Sequence, residues 1–337
     1  MHAYLIDGAF GLDNLKKVER PTPEPGPGQV RVAVSAVSLN FRDLLMVRGR
    51  YNPRQPLPLV PLSDGVGTVV ALGAGVDEGL LGRRVASSFA QAWLAGAPTP
   101  QAQRSTLGGP RDGMLAEEVV LDATGVVDVP THLSDEQGAT LPCAALTAWS
   151  ALVTEGCVGA GDTVLVLGTG GVSTFALDFA RMHGATVVVT TSKAELHDEL
   201  RARGAAEVID YRADPQWGKT VRQWTGGRGV DHVVEVGGAG TLAQSLRAVR
   251  PGGTVSLIGV LAAGGGDVNL TPVLMNHVRV QGVFVGHRES FEAMNRAITA
   301  HAYVPRIDRT FAFEDARAAF EHLASGQHVG KVCIRVR

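Results

Sequence analysis

Thr163-Val-Leu-Val-Leu167 runs straight into Gly168-Thr-Gly170-Gly171-Val172-Ser173. A continuous apolar pentapeptide predicts a strand covered on both faces, and glycines at its end lead into an amphipathic segment reaching Arg181. Strand, glycine turn and helix start are the setting a dinucleotide fingerprint requires. Gly168 would make the tight turn, and Gly170 would let the backbone approach a pyrophosphate. Gly171 and Val172 open the helix, whose unpaired N–H groups attract phosphate. Ser173 stands where a third glycine is usual and is small enough for close helix-strand packing.

A glycine turn alone is a weak signal, so its surroundings decide the reading. Thr186-Val-Val-Val-Thr190 is a second strand, followed by a helix through about Arg203. Further runs at Glu207–Ile209, His232–Val236, Thr254–Ile258 and Val280–Val285 continue the series. Buried strands alternating with helices predict an α/β fold with a doubly wound parallel sheet. In such a sheet ligands bind beyond the C-terminal strand ends. Gly237 follows the fourth strand, Gly259-Val260-Leu261 the fifth, and Phe284-Val285-Gly286 closes the sixth.

The residue ending the second strand reports the cofactor, because NAD sites place a carboxylate there against the ribose hydroxyl. This chain reads Thr190-Thr-Ser192-Lys193, and the nearest carboxylate, Glu195, lies in the next helix. A hydroxyl and an ammonium suit a 2′-phosphate, so NADP is expected over NAD.

Upstream of about residue 126 the pattern is different. Pro21, Pro23, Pro25 and Pro27 form a stiff connector, and Gln29-Val-Arg-Val-Ala-Val-Ser35 alternates as a half-buried strand in an antiparallel, barrel-like sheet. Gly67–Ala71 and Glu117–Leu121 are further strands. Ser134-Asp-Glu-Gln137 is a helix cap and first turn. The tail shows a helix pattern from Phe313 to Leu323 and a last strand, Lys331–Val336, expected to return to the first domain. A β-rich domain of residues 1–126 with 288–337 and a nucleotide-binding domain of 127–287 follow.

With 31 basic and 33 acidic residues the chain has no field to draw in nucleic acid or an anionic membrane. A small-molecule substrate is the expected partner. Three separated cysteines, Cys143, Cys157 and Cys333, in a chain of 337 residues point to a reducing compartment. Neither a signal peptide nor an apolar run long enough to span a bilayer is apparent, so a cytoplasmic location is expected.

Asn40-Phe-Arg-Asp43, Gly49-Arg-Tyr51, Ser63-Asp-Gly-Val-Gly67, Leu141-Pro-Cys-Ala-Ala-Leu-Thr-Ala-Trp149 and Gly330-Lys-Val-Cys-Ile334 accompany the glycine turn. With these segments the sequence resembles the medium-chain dehydrogenase/reductase superfamily over essentially its whole length, and most of all its zinc-free, quinone-oxidoreductase-like branch. The resemblance implies a GroES-like β-rich catalytic domain beside a Rossmann sheet, and a homodimer joined through the sixth strand. It also places Thr147 toward the nicotinamide, Gly170, Gly171 and Val172 at the phosphates, and Ser192, Lys193 and Tyr211 around the adenosine phosphate.

A catalytic zinc needs three protein ligands and an open position. By resemblance the zinc-ligand positions hold Asn40, Ser63 and Cys143, and a carboxamide and a hydroxyl are poor substitutes for thiolate and imidazole. No metal is expected, with Cys143 a buried small hydrophobe. The Gly/Pro/Gln-rich stretch from Gln91 to Gly113, standing where a structural zinc lobe would be, is expected to be a mobile loop.

Without a Lewis acid, hydrogen-bond donors must stabilise charge on the acceptor oxygen. Asn40 and Tyr51 are the candidate catalytic donors. Arg42 either adds charge there or pairs with Asp43. Three activities remain open: an NADP(H)-dependent reductase of quinones or α,β-unsaturated carbonyls, a zinc-independent alcohol dehydrogenase or carbonyl reductase, and a cofactor-binding redox sensor with little turnover.

Overall fold

The computed structural model describes residues 1–259 and 268–337. By contact they fall into two units, Met1–Leu146 with Gly286–Arg337, and Thr147–Val285. Residues 127–146, which the change of sequence pattern groups with the nucleotide-binding half, pack in the first unit: the helix Asp135–Ala139 lies against the strands Gln29–Leu39, Asp64–Leu72 and Lys331–Arg335.

In the second unit six strands form one sheet in the order Ala205–Asp210, Thr186–Thr191, Thr163–Leu167, Val230–Glu235, Val249–Leu257, Arg279–Gly282. Every neighbouring pair is parallel. The chain therefore runs outward from Thr163–Leu167 on one side, then crosses to the other, which makes the switch point at which such sheets bind ligands. Helices on the faces bury the apolar runs: Val230–Glu235 is buried throughout, and Leu165, Val188, Val233 and Val255 share a core with Trp217, Val221 and Leu246. The sixth strand ends at Gly282 rather than Val285, and Val285 itself, with a φ of 52°, lies outside the extended region.

In the first unit the strand Gln29–Leu39 organises the sheet. Asp64–Leu72 pairs antiparallel along one side. The other side is shared: Glu118–Asp122 pairs with residues 29–33, and Lys331–Arg335 with residues 36–39. Covered on both faces, this strand is more buried than its alternation predicts. The tail does return to this unit, and it also contains a helix, Arg288–Ala300, and an edge strand, Ile307–Ala312, that the sequence reading missed.

The stretch from Gln91 to Gly113 corrects the expectation of a mobile loop. Buried Gln91 donates through Nε2 to Ser88 O at 2.8 Å and Gly125 O at 3.0 Å, and accepts from Asp122 N at 3.1 Å. Ser105 Oγ accepts from Ala92 N, and Thr99 caps a short helix, Pro100–Gln103. Each contact satisfies a group that a free loop would leave to water.

Candidate active site

The strand Gln29–Leu39 ends at Asn40, which caps the helix Phe41–Val47. Asn40 N donates to Asp43 Oδ2 at 2.8 Å while Asp43 N donates to Asn40 O at 3.0 Å, so Asp43 serves the helix start. One strand away, Ser63 Oγ donates to Asp64 Oδ1 at 2.6 Å, and Cys143 N donates to Asp64 Oδ2 at 3.1 Å. Leu62, just before them, is fully buried with a φ of 70°, and its carbonyl is held by Met114 N at 2.8 Å. Backbone in that region costs an apolar residue free energy and persists where the surroundings enforce it, often next to functional groups.

Lys331 enters from the last strand. It is 2% exposed, and its ammonium donates to Leu39 O at 2.7 Å and to Asn40 Oδ1. Asn40 is itself buried, and among the described residues its Nδ2 meets no acceptor at hydrogen-bonding geometry, although it lies near enough to Asp64 to favour that carboxylate's charge. Two cations, Arg42 and Lys331, thus stand with two fully buried carboxylates, Asp43 and Asp64.

Burial dominates the titration of this cluster. It pushes Asp43 up to about 6, with Arg42 opposing the rise and Asp64 adding to it. Burial also raises Asp64, against the Lys331 charge, the bonds from Ser63 and Cys143 N, and the Asn40 amide nearby. The Cys143 thiol is pushed far up by burial and then by Asp64, which keeps it protonated; the thiol is enclosed as expected, although the residue as a whole is only half-buried.

Of the two readings open for Arg42, the structure displays the pairing with Asp43, at 3.2 Å. The guanidinium also donates to Leu107 O at 2.8 Å and Gly109 O at 3.3 Å, and lies over the rings of Tyr51 and Phe89 at 4.8 and 5.3 Å. Two of its five N–H groups are thereby spent on fastening the 107–109 segment. Tyr51 is 42% exposed, with one ring face against Arg42.

In the second unit Gly168 has a φ of 75°, which only glycine adopts without strain, and Gly170 caps the helix Gly171–Met182 with open space where a Cβ would stand. Ser173 Oγ donates to Leu167 O at 2.6 Å, so this residue closes the strand-helix junction as its size predicts. Val172 lies in the first turn of that helix. Ser192 and Lys193 follow the second strand, with Lys193 N donating to Thr191 Oγ1 at 3.1 Å; Tyr211 follows the neighbouring strand and is exposed. Buried Glu235 accepts at Oε1 from Gly237 N, Gly238 N and Thr241 Oγ1 at 2.8, 3.0 and 2.6 Å, and at Oε2 from Ser245 Oγ. It fixes the loop after the fourth strand, a role the sequence reading missed. A Cβ on Gly259 would sit 2.0 Å from Val236 O, so this close crossing requires glycine.

Thr147 is buried in the helix Leu146–Trp149, and Phe284 is partly buried next to Val285 at the end of this unit. Val260 and Leu261 lie outside the described residues. His287 caps the helix Arg288–Ala300 by accepting from Ser290 N at 3.1 Å. Among the described residues no three His, Cys, Asp or Glu side chains could hold a metal, and no helix is long and apolar enough to cross a membrane.

A family model for the alcohol dehydrogenase GroES-like domain matches residues 26–131, and one for the zinc-binding dehydrogenases matches residues 171–300. A zinc-type alcohol dehydrogenase-like protein of Schizosaccharomyces pombe is 41% identical over 98% of this chain and 97% of its own. The crystal structure of an NAD-dependent alcohol dehydrogenase superposes with a TM-score of 0.91 at 30% identity, covering 100% of both chains. The quinone oxidoreductase of Coxiella burnetii superposes at 0.82 and 28% identity, covering 100% of this chain and 99% of the other.

Proposed function

Since the chain belongs to the medium-chain dehydrogenase/reductase superfamily and is an oxidoreductase with a nicotinamide cofactor, we propose that it reduces a quinone or an α,β-unsaturated carbonyl with NADPH and without zinc. The observation that carries this reading is the ammonium of Lys331 on Asn40 Oδ1. A second cation at that oxygen would be repelled, and the Cys143 thiol and Ser63 hydroxyl beside it are protonated donors. The residues at these positions do not fit a zinc ion.

Bound NADPH would supply the hydride. The chain's own part is to receive charge: as hydride adds to the β-carbon of an enone, the π electrons move to the carbonyl oxygen, and Asn40 Nδ2 donates to it. Water then protonates the α-carbon. Held at Oδ1 by Lys331 and lying beside the Asp64 carboxylate, this amide is already desolvated and oriented, which is where such stabilisation is strongest. Gly168, Gly170, Gly171 and Val172 would hold the pyrophosphate, Ser192, Lys193 and Tyr211 the adenosine phosphate, and Gly237, Gly259 and Thr147 the rest of the cofactor. Arg42 serves by fixing Tyr51 and the 107–109 segment.

The exposed phenol of Tyr51 favours a second reading, a zinc-independent carbonyl reductase or alcohol dehydrogenase, in which that phenol protonates an alkoxide; the names of the yeast relative and the NAD-dependent neighbour point the same way. NADPH oxidation at 340 nm against quinones, enones, aldehydes and ketones separates the two. Turnover of quinones or enones supports the first, and turnover of simple aldehydes or ketones alone the second. Tight NADPH binding without turnover would instead mark a redox-sensing protein.

Subunits would join through Arg279–Gly282, a sheet edge with exposed Val280 near exposed Leu270, Leu274 and Met275. Three free cysteines suit a cytoplasmic location.

A further inference from the structure

We propose that Lys331 is a positioning residue that fixes which way the Asn40 carboxamide faces, and that its buried charge strengthens the Nδ2 donor on the opposite side; this rests on the reading of Asn40 given above. An ammonium has three donors and no acceptor. The atom of Asn40 that meets it must therefore be Oδ1, since the reversed amide would put N–H against N–H. With Oδ1 committed, Nδ2 is directed to the other side, beside the Asp64 carboxylate whose charge it favours, with no acceptor at full hydrogen-bonding geometry among the described residues.

The second bond of Lys331, to Leu39 O at 2.7 Å, ties the ammonium to the last residue of the strand that ends at Asn40. Antiparallel pairing of Val332 with Leu39 sets that register. Position and orientation of the amide are thus set by one side chain from the other end of the chain. Electron density drawn from Oδ1 by a full positive charge makes the Nδ2 protons better donors, as in any chain of polarised hydrogen bonds. Lys331 also compensates the buried Asp64 carboxylate, so the kinetic readouts below, rather than stability, report its part in holding the amide.

A double-mutant cycle tests this with NADPH and two probes, 9,10-phenanthrenequinone and cyclohex-2-enone. Asn40→Ala is expected to lower kcat about 10²-fold, the usual loss for one such donor. Lys331→Met is expected to lower it at least about tenfold with KM for NADPH within about twofold, and to add nothing in the Asn40→Ala background. Multiplying effects, or an unchanged kcat in Lys331→Met, would overturn the proposal.

Should Lys331→Met fail to fold by circular dichroism, Asn40→Asp serves instead: it keeps a partner for the ammonium but replaces the donor with an oxygen facing Asp64, so kcat must fall even where circular dichroism shows the variant folded. Retained activity overturns the inference. If the wild type reduces neither probe, the functional reading fails alone, and the amide is read directly. One protected pair of Asn40 side-chain amide resonances, identified by its disappearance in Asn40→Asp, is expected in the wild type. It must shift or split in Lys331→Met, or in Lys331→Gln if that is the variant that folds, and an unmoved pair refutes the positioning role.

Discussion

Replacing Glu235 should separate the loop it holds from the sheet that carries it. Its two oxygens accept four hydrogen bonds, from Gly237 N, Gly238 N, Thr241 Oγ1 and Ser245 Oγ, and the side chain is fully buried. Glu235→Ala would leave three buried donors, Gly237 N, Gly238 N and Ser245 Oγ, unpaired at about 1–3 kcal/mol each, while the half-buried Thr241 hydroxyl keeps Gly238 O as an acceptor; relaxation and entering water recover a part. A net loss of about 4 kcal/mol corresponds to a fall in melting temperature of roughly 10 °C for a unit of this size. Glu235→Gln keeps the shape and the Oε1 acceptor, and the Ser245 hydroxyl can rotate to accept from the new amide. Its cost is about 1 kcal/mol, or roughly 3 °C.

Because the loop lies at the ligand end of the sheet, KM for NADPH should rise about tenfold in Glu235→Ala and stay within about twofold in Glu235→Gln. Thermal unfolding followed by circular dichroism, with steady-state kinetics on the same preparations, gives both numbers. Equal melting temperatures for the two variants, or an unchanged KM in Glu235→Ala, would refute the reasoning.

Ser192→Ala with Lys193→Ala should raise KM for NADPH about tenfold and leave that for NADH nearly unchanged, as a lost phosphate contact requires; equal effects on both cofactors contradict the NADPH preference. Asp43, raised to about 6, contributes stability that is fully present below its ordinary 3.8 and is lost as pH climbs through 6. The unfolding free energy of Asp43→Asn relative to wild type should therefore rise between about pH 4 and pH 6.5 and level off above, by roughly 3 kcal/mol at most, and a difference that falls over that window is the contrary result. Leu274→Glu, at an exposed apolar position, should shift a dimer toward monomer in light scattering, and an unchanged mass would remove this face from the interface.

The nucleotide-binding half was legible because its signal is local: four buried apolar residues after Thr163, a glycine turn and a small serine declare strand, turn and helix within eleven positions. The helix Arg288–Ala300 escaped notice although Phe291, Met294 and Ile298 are spaced along one face, because a histidine is not among the usual caps. The strand Ile307–Ala312 lies at the sheet edge and is largely exposed, so it carries no apolar alternation. Most of the buried cluster was hidden for another reason. Gly330-Lys331-Val332 reads as the polar start of a strand, and only the pairing of Val332 with Leu39, 293 positions earlier, brings its ammonium to Asn40. Arg42 likewise finds its acceptors at Leu107 and Gly109, contacts that no local spacing encodes.

The central claim, reduction by NADPH with hydrogen-bond donors in place of zinc, is tested most directly by assaying 9,10-phenanthrenequinone reduction after dialysis against 1,10-phenanthroline, with zinc measured on the same sample. The account predicts an unchanged rate at far less than one zinc per chain. A rate that disappears with the metal and returns on adding one equivalent of zinc would contradict it.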